Sequence, residues 1–158
     1  LRIPGIINKE EVIFPRNTPS WCYSELGVLH AIIQSTQILK FNFLSTLFKE
    51  QLKSIIQDKN NYKIISPNFC HGYSGIFVFA RLYEVSSKEL NGFLLEQIEF
   101  FYDHECLSIF YDQYYNLSGE ICSDASYSFL DGSISVLLSL LFVEGYNTVI
   151  WEEMLLLK

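Results

Sequence analysis

Long apolar runs are missing from this chain. Even Ser133–Val143 is short and is flanked by Asp131 and Glu144, well under the ~18 to 20 residues that a membrane span needs, so a soluble protein is expected. Positive charge is also scarce: 11 Lys and Arg stand against 18 Asp and Glu, and the net charge is −7. The basic residues are scattered rather than gathered into a stripe, which argues against nucleic acid as a partner. No basic segment followed by an apolar core opens the chain, so no secretory signal is read. Leu1 stands first in place of Met, and the start is expected to have been cut away or removed by processing. Cysteines number four (Cys22, Cys70, Cys106 and Cys122), and a chain of this size with a rich apolar core needs no disulfide staples. They are read as reduced thiols of a cytoplasmic protein.

What is abundant is apolar and aromatic. Hydrophobic residues make up 49% of the 158 positions, with ten Tyr and thirteen Phe, which excludes a disordered chain and fits one packed domain. Helical periodicity dominates. Leu26, Leu29, Ile33 and Gln37 share a stripe, as do Leu44, Phe48, Leu52 and Ile55, and Leu137, Leu138 and Leu141 form another. The expected helices are Glu25–Lys40, Leu44–Asp58, Gly75–Val85, Ser87–Tyr102, Ser128–Phe142 and a short one from Thr148. The Ser86-Ser87 pair ahead of Lys88 and Glu89 supplies a cap for the fourth. The fold class is therefore all-α.

Three segments align with one another: Cys22-Tyr-Ser-Glu-Leu-Gly27-Val-Leu, Cys70-His-Gly-Tyr-Ser-Gly75-Ile-Phe and Leu130-Asp-Gly-Ser-Ile-Ser135-Val-Leu. Each is a turn that opens an apolar helix. Their starts lie 48 and 60 residues apart, room for that helix, a second one and the return. Small residues recur at two aligned places, Ser24, Gly72 and Gly132, then Gly27, Gly75 and Ser135. A tight helix start needs such residues, either for positive φ or for close backbone approach. The second helix of each pair carries more charge, as Lys49, Glu50, Lys53 and Asp58 show, and belongs outside. Hairpins of this kind stack into a curved array or a ring. The array puts Cys22 and Cys70 at equivalent points of adjacent units.

Two thiols at one level, with His71 beside the second, offer three ligands of the types Zn²⁺ prefers and leave a fourth position open, the pattern of catalytic rather than structural zinc. The spacing matches no short zinc motif, so buried thiols beside a hydrogen-bonded His stand as the other reading. Cys106 and Cys122 fall at no aligned position and are read as core or loop residues. His30, one turn into the first inner helix, is read as a satisfied core residue, and His104, between Asp103 and Glu105, as part of a solvated turn. Asp131 takes the place that His71 fills in the preceding unit, and helix capping accounts for an acid there.

The segment Ser20-Trp21-Cys22-Tyr23 followed by Gly27, and Cys70-His71-Gly72 followed by Gly75, resemble the two zinc-binding motifs of the lanthionine synthetase C-like family of lanthipeptide cyclases and their relatives. Leu130-Asp131-Gly132 and the Trp151–Leu157 ending resemble that family's last repeat and C-terminus. The resemblance implies that residues 1–158 are the C-terminal portion of a single alpha/alpha toroid domain, with Zn²⁺ held by Cys22, Cys70 and His71. It implies a cyclase of lantibiotic biosynthesis, in which a Cys of a dehydrated precursor peptide adds to dehydroalanine or dehydrobutyrine and closes a lanthionine thioether ring. Zinc activates the thiol in that chemistry, and a general acid protonates the resulting enolate. Tyr23 matches a family Tyr and is the candidate acid, with packing at the turn as its other explanation. Arg16 lies upstream, where the family carries an active-site Arg, but six residues before Cys22 with Pro19 between. Ser24 departs from the family's usual Gly two residues after the first cysteine.

Implied partners are the N-terminal remainder of the cyclase and a dehydratase and ABC exporter, in a cytoplasmic assembly peripheral to the membrane. Taken alone, the chain is expected to lack cyclase activity until an N-terminal fragment complements it. Two other functions fit the same residues: a non-catalytic zinc module that binds glutathione or another thiol, and a degenerate helical remnant that folds only against a partner chain.

Overall fold

The computed structural model describes residues 6–7, 12–13, 19–22, 24–105, 109–116, 118–146, 151 and 153. Two short strands, β1 (Ile6–Ile7) and β2 (Val12–Ile13), pair antiparallel. Next come α1 (Glu25–Ile38) and α2 (Asn42–Gln57), then a 3-10 turn at Lys59–Asn61. A second helical pair follows, α3 (Tyr73–Leu82) and α4 (Lys88–Glu99). Strands β3 (Tyr111–Tyr115) and β4 (Ile121–Ala125) form an antiparallel hairpin ahead of α5 (Ser133–Val143). Trp151 and Glu153 are helical, whereas Thr148, the expected start of a last helix, lies outside the described residues. No helix among the described residues is long and apolar enough to cross a membrane.

The chain is mainly helical, but the all-α expectation is corrected by the two hairpins. Tyr111-Asp-Gln-Tyr-Tyr115 favours a strand because aromatic side chains suit a pleated surface. The Asn116–Gly119 turn fixes the pairing: the Asn116 side-chain oxygen accepts from the backbone N–H of Ser118 and Glu120 at 2.9 and 3.0 Å, and Gly119 takes φ +80°. Neither Tyr111–Tyr115 nor Ile121–Ala125 alternates apolar with polar residues, so no period-two pattern marks them as strands.

The helical hairpins hold their register by ordinary means. Ser87 caps α4, its Oγ accepting from the Leu90 N–H at 3.1 Å, a contact worth about 1 kcal/mol. Leu90, Leu94 and Ile98 then form the buried stripe of that helix. In α3 every residue from Tyr73 to Ala80 is buried, because this helix is surrounded: it packs against α2, α4 and α5 and meets α1 where His30 lies edge-on to Phe79 and Tyr83. Trp151 closes the core against Phe69, ring centroids 5.2 Å apart. Leu137 and Leu141, expected in a core stripe, are instead exposed on α5, since the elements packed on that helix lie on its other side.

The helices α3 and α5 begin at Tyr73 and Ser133, not at Gly75 and Ser128 as periodicity suggested. The N-cap residues Ser24, Gly72 and Gly132 are extended, with φ of −136°, −115° and −128°. Close approach, not positive φ, is thus what the small residues provide. A Cβ on Gly72 would press on the backbone of Ser66 and Asn68, and one on Gly132 on that of Ser126 and Ser128. Gly27 and Gly75 likewise face the carbonyls of Trp21 and Phe69. The same loop thus rises against the same turn of successive inner helices.

Candidate metal centre

The repeat becomes physical in the backbone hydrogen bonds between units. The Cys22 N–H donates to the Cys70 carbonyl at 3.4 Å, and the Cys70 N–H donates to the Leu130 carbonyl at 3.1 Å. The three aligned residues are thus tied in succession at one level, and the helix starts of neighbouring units lie side by side. Phe69 N–H also donates to Ser135 Oγ at 3.1 Å, and Trp21 N–H to the Cys70 carbonyl at 3.0 Å.

At that level the ligand atoms of Cys22, Cys70 and His71 all lie within 4.8 Å of one another. Cys22 is exposed, and Cys70 and His71 are half-buried, so the group has one side on the core and one on solvent. The three described cysteines, Cys22, Cys70 and Cys122, are free. Two sulfurs and an imidazole with an accessible side are a donor set that suits a borderline-soft divalent ion. Leu130 offers no ligand where the third unit reaches the same level.

The two sulfurs titrate as a pair. Hydrogen bonding from the Cys70 thiol, opposed by burial and aided by the hydrogen bond and charge of His71, brings Cys22 down to about 5. Cys70 is pushed up, because its proton is held toward the Cys22 sulfur and because burial and the Cys22 charge disfavour a second thiolate. When protonated, Cys22 Sγ has the Cys70 carbonyl oxygen as its acceptor at 3.4 Å. Burial lowers His71, but the Cys22 sulfur and the Asp112 and Asp131 carboxylates outweigh it and raise the imidazole above its ordinary value.

His71 is held from behind. Its backbone N–H donates to Asn68 Oδ1 at 2.9 Å, and Asn68 Nδ2 lies 3.1 Å from His71 Nε2 and 3.2 Å from Asp112 Oδ1. Asp112 Oδ2 is 3.8 Å from His71 Nε2, and the Ser66 hydroxyl donates to Asp112 Oδ1. Burial raises the Asp112 carboxyl, partly offset by the Ser66 hydrogen bond and the His71 charge. A cavity of about 170 Å³ opens beside His71, lined also by Lys63, Ile65, Gln113 and Tyr115.

The remaining expectations divide. Tyr23, the candidate acid, lies outside the described residues, as do Arg16 and Cys106. His30 is a satisfied core residue, its Nδ1 2.7 Å from the Tyr83 hydroxyl. His104 is exposed against the Tyr102 ring, and Cys122 sits half-buried on β4. Asp131 is not the helix cap: Gly132 holds that position, and Asp131 instead accepts from the Ser128 hydroxyl in the preceding turn. Ser66, Asn68 and Asp112 escaped the sequence reading. Asn68 precedes His71 by three residues and is visible as a turn former, but Asp112 comes from the unforeseen hairpin, 44 residues beyond Asn68.

A family model described as lanthionine synthetase C-like protein matches residues 3–156. No curated protein matches the chain.

Proposed function

The chain belongs to the lanthionine synthetase C-like family, and from that premise we propose that it is the zinc-binding part of a lanthipeptide cyclase. The observation that carries the proposal is the convergence of Cys22, Cys70 and His71 from two successive helix starts. Cys22 and Cys70 would hold the ion as thiolates and His71 through a ring nitrogen, with the exposed side of the group left to substrate. When bound, the zinc supplies Lewis acidity that lowers the pKa of a peptide cysteine from its free value of about 8.5.

The chain's own residues contribute three things to this reading. Cys22, already favoured as thiolate, and Cys70 bring negative charge, which keeps a neighbouring sulfur nucleophilic. The cavity beside His71 gives an extended peptide a place to lie. Tyr23, next to Cys22 in sequence, is the proposed proton donor to the carbon that becomes the α-carbon of the new residue. The overall reaction adds S–H across the C=C bond of dehydroalanine or dehydrobutyrine, so mass is unchanged and one thiol is lost. The inner helices α1, α3 and α5 would form an arc of an alpha/alpha toroid, completed by hairpins that precede it. The dehydrated precursor peptide is the proposed substrate, with a dehydratase and an exporter as proposed partners at the cytoplasmic face of a membrane.

A direct test incubates a dehydrated cysteine-containing peptide with the chain joined to the N-terminal hairpins of a cyclase, then counts free thiols by alkylation and mass spectrometry. The expected result is thiol loss without mass change, abolished by Cys70→Ala. Unchanged thiols with zinc-loaded protein would count against cyclase chemistry.

A further inference from the structure

We propose that Asp112 is a positioning residue for the metal centre: through Asn68 and directly, its carboxylate fixes the orientation and basicity of the His71 ring. The inference rests on the zinc reading above and deepens it. Three observations carry it, independent of the motifs that define the three ligands.

The first is where the carboxylate comes from and how it is held. β3 and β4 are inserted between α4 and α5, and the Phe110 N–H that leads into β3 donates to Ser133 Oγ at the start of α5 at 2.8 Å. The Tyr111 N–H donates to the Phe101 carbonyl at 2.9 Å. Both anchors come immediately before Asp112, so its backbone is pinned at the position that meets the Ser66–His71 loop. The second is the burial of the group: only 14% of the Asp112 side chain is exposed. Among the described residues its one ion-pair contact is His71, with no Lys or Arg in range. A half-buried carboxylate without a strong cationic partner still bears a desolvation cost, and an ion behind the imidazole would offset it.

The third is the geometry at the ring. Asn68 is fixed in one orientation, since its Oδ1 accepts from the His71 N–H, and its Nδ2 therefore faces both Asp112 Oδ1 and His71 Nε2. Asp112 Oδ2 approaches that same Nε2. Asn68 Nδ2 can only donate, so its acceptor is Asp112 Oδ1, and Asp112 Oδ2 is the oxygen that would accept from Nε2–H when the imidazole holds an ion through Nδ1. Imidazoles that ligate a metal are commonly oriented by a carboxylate or carbonyl at the second nitrogen, and removal of that partner typically costs 10- to 100-fold in metal affinity. A purely structural role, tying β3 to the loop, predicts a loss of stability with no change at the metal.

The test uses the full chain with zinc and cobalt(II) as probes. Zinc affinity is measured by competition with a chromophoric chelator, and the visible absorption of the cobalt-loaded protein reports ligand geometry. Asp112→Asn and Asp112→Ala are expected to weaken zinc binding by about 10- to 100-fold and to shift the cobalt bands, with helix content retained. Wild-type affinity and spectrum in both would overturn the inference while leaving the zinc site intact; failure of the wild-type chain to take up either ion would overturn the zinc reading itself, and this inference with it. If both substitutions unfold the chain, Ser66→Ala decides. It removes the hydroxyl that orients Asp112, and a smaller weakening in the same direction supports the role, whereas unchanged affinity contradicts it.

Discussion

Cys22 and Cys70 come from different units of the repeat, yet they share a proton, and this coupling makes the residue scale testable without any metal. Cys22 lies down at about 5 and Cys70 is raised. The thiolate is the reactive form, so in chelator-treated protein the alkylation rate of Cys22 should stay level from pH 8 to about 6 and fall only as pH drops through 5. An ordinary thiol, with a pKa of about 8.5, loses about tenfold per pH unit over the same range. Peptide mapping after timed iodoacetamide treatment checks this, and a Cys22 rate that tracks an ordinary thiol would contradict the coupling. The three ligand-type residues were legible in the sequence because repeat alignment and motif both pointed to them. Asp112 was not, because nothing local distinguishes an acid in a tyrosine-rich strand from a solvated one. Its partner His71 is named by motif, but their contact exists only through the fold.

At the scale of the element, helix starts govern. Gly75 stands where the Phe69 carbonyl leaves no space for a Cβ, whereas Gly92, exposed in α4, has nothing within 4 Å of one. Gly75→Ala is expected to destabilise the chain by about 1 to 3 kcal/mol through overpacking. Gly92→Ala is expected to stabilise it by roughly 0.5 to 1 kcal/mol through helix propensity. Thermal or denaturant unfolding of the two variants checks the opposite signs, and a shared sign would contradict the close-approach account. Small residues at these starts were legible as a pattern, but their reason was not. Positive φ and close approach ask for the same residue types, and only the extended backbone at Gly72 and Gly132 distinguishes them. The hairpin of β3 and β4 was missed because its residues are exposed or half-buried and carry neither an alternating pattern nor a core stripe.

Over the whole molecule, the inner helices do not share one environment. Ile76 and Phe77 of α3 are buried on its two sides, while their aligned counterparts Val28 on α1 and Leu137 on α5 are exposed. Among the described residues, the exposed apolar side chains of α1 and α5 thus lie on opposite flanks of the series, Val28 on one and Ile134, Leu137 and Leu141 on the other. Apolar flanks of this kind associate. The isolated chain is expected to show concentration-dependent self-association, reduced by Leu137→Lys with Leu141→Lys at unchanged helix content. Light scattering across a dilution series checks this, and a monomer at every concentration would contradict it. The repeat and its hairpins were readable from periodicity, but which flank of each helix is covered depends on neighbours that a stripe pattern does not identify.

The zinc content of the purified chain tests the central claim most directly, determined by elemental analysis beside Cys22→Ala and Cys70→Ala. One zinc per wild-type chain, lost in both variants while helix content persists, is the expected result. A wild-type chain that takes up no zinc, or variants that keep it, would contradict the account.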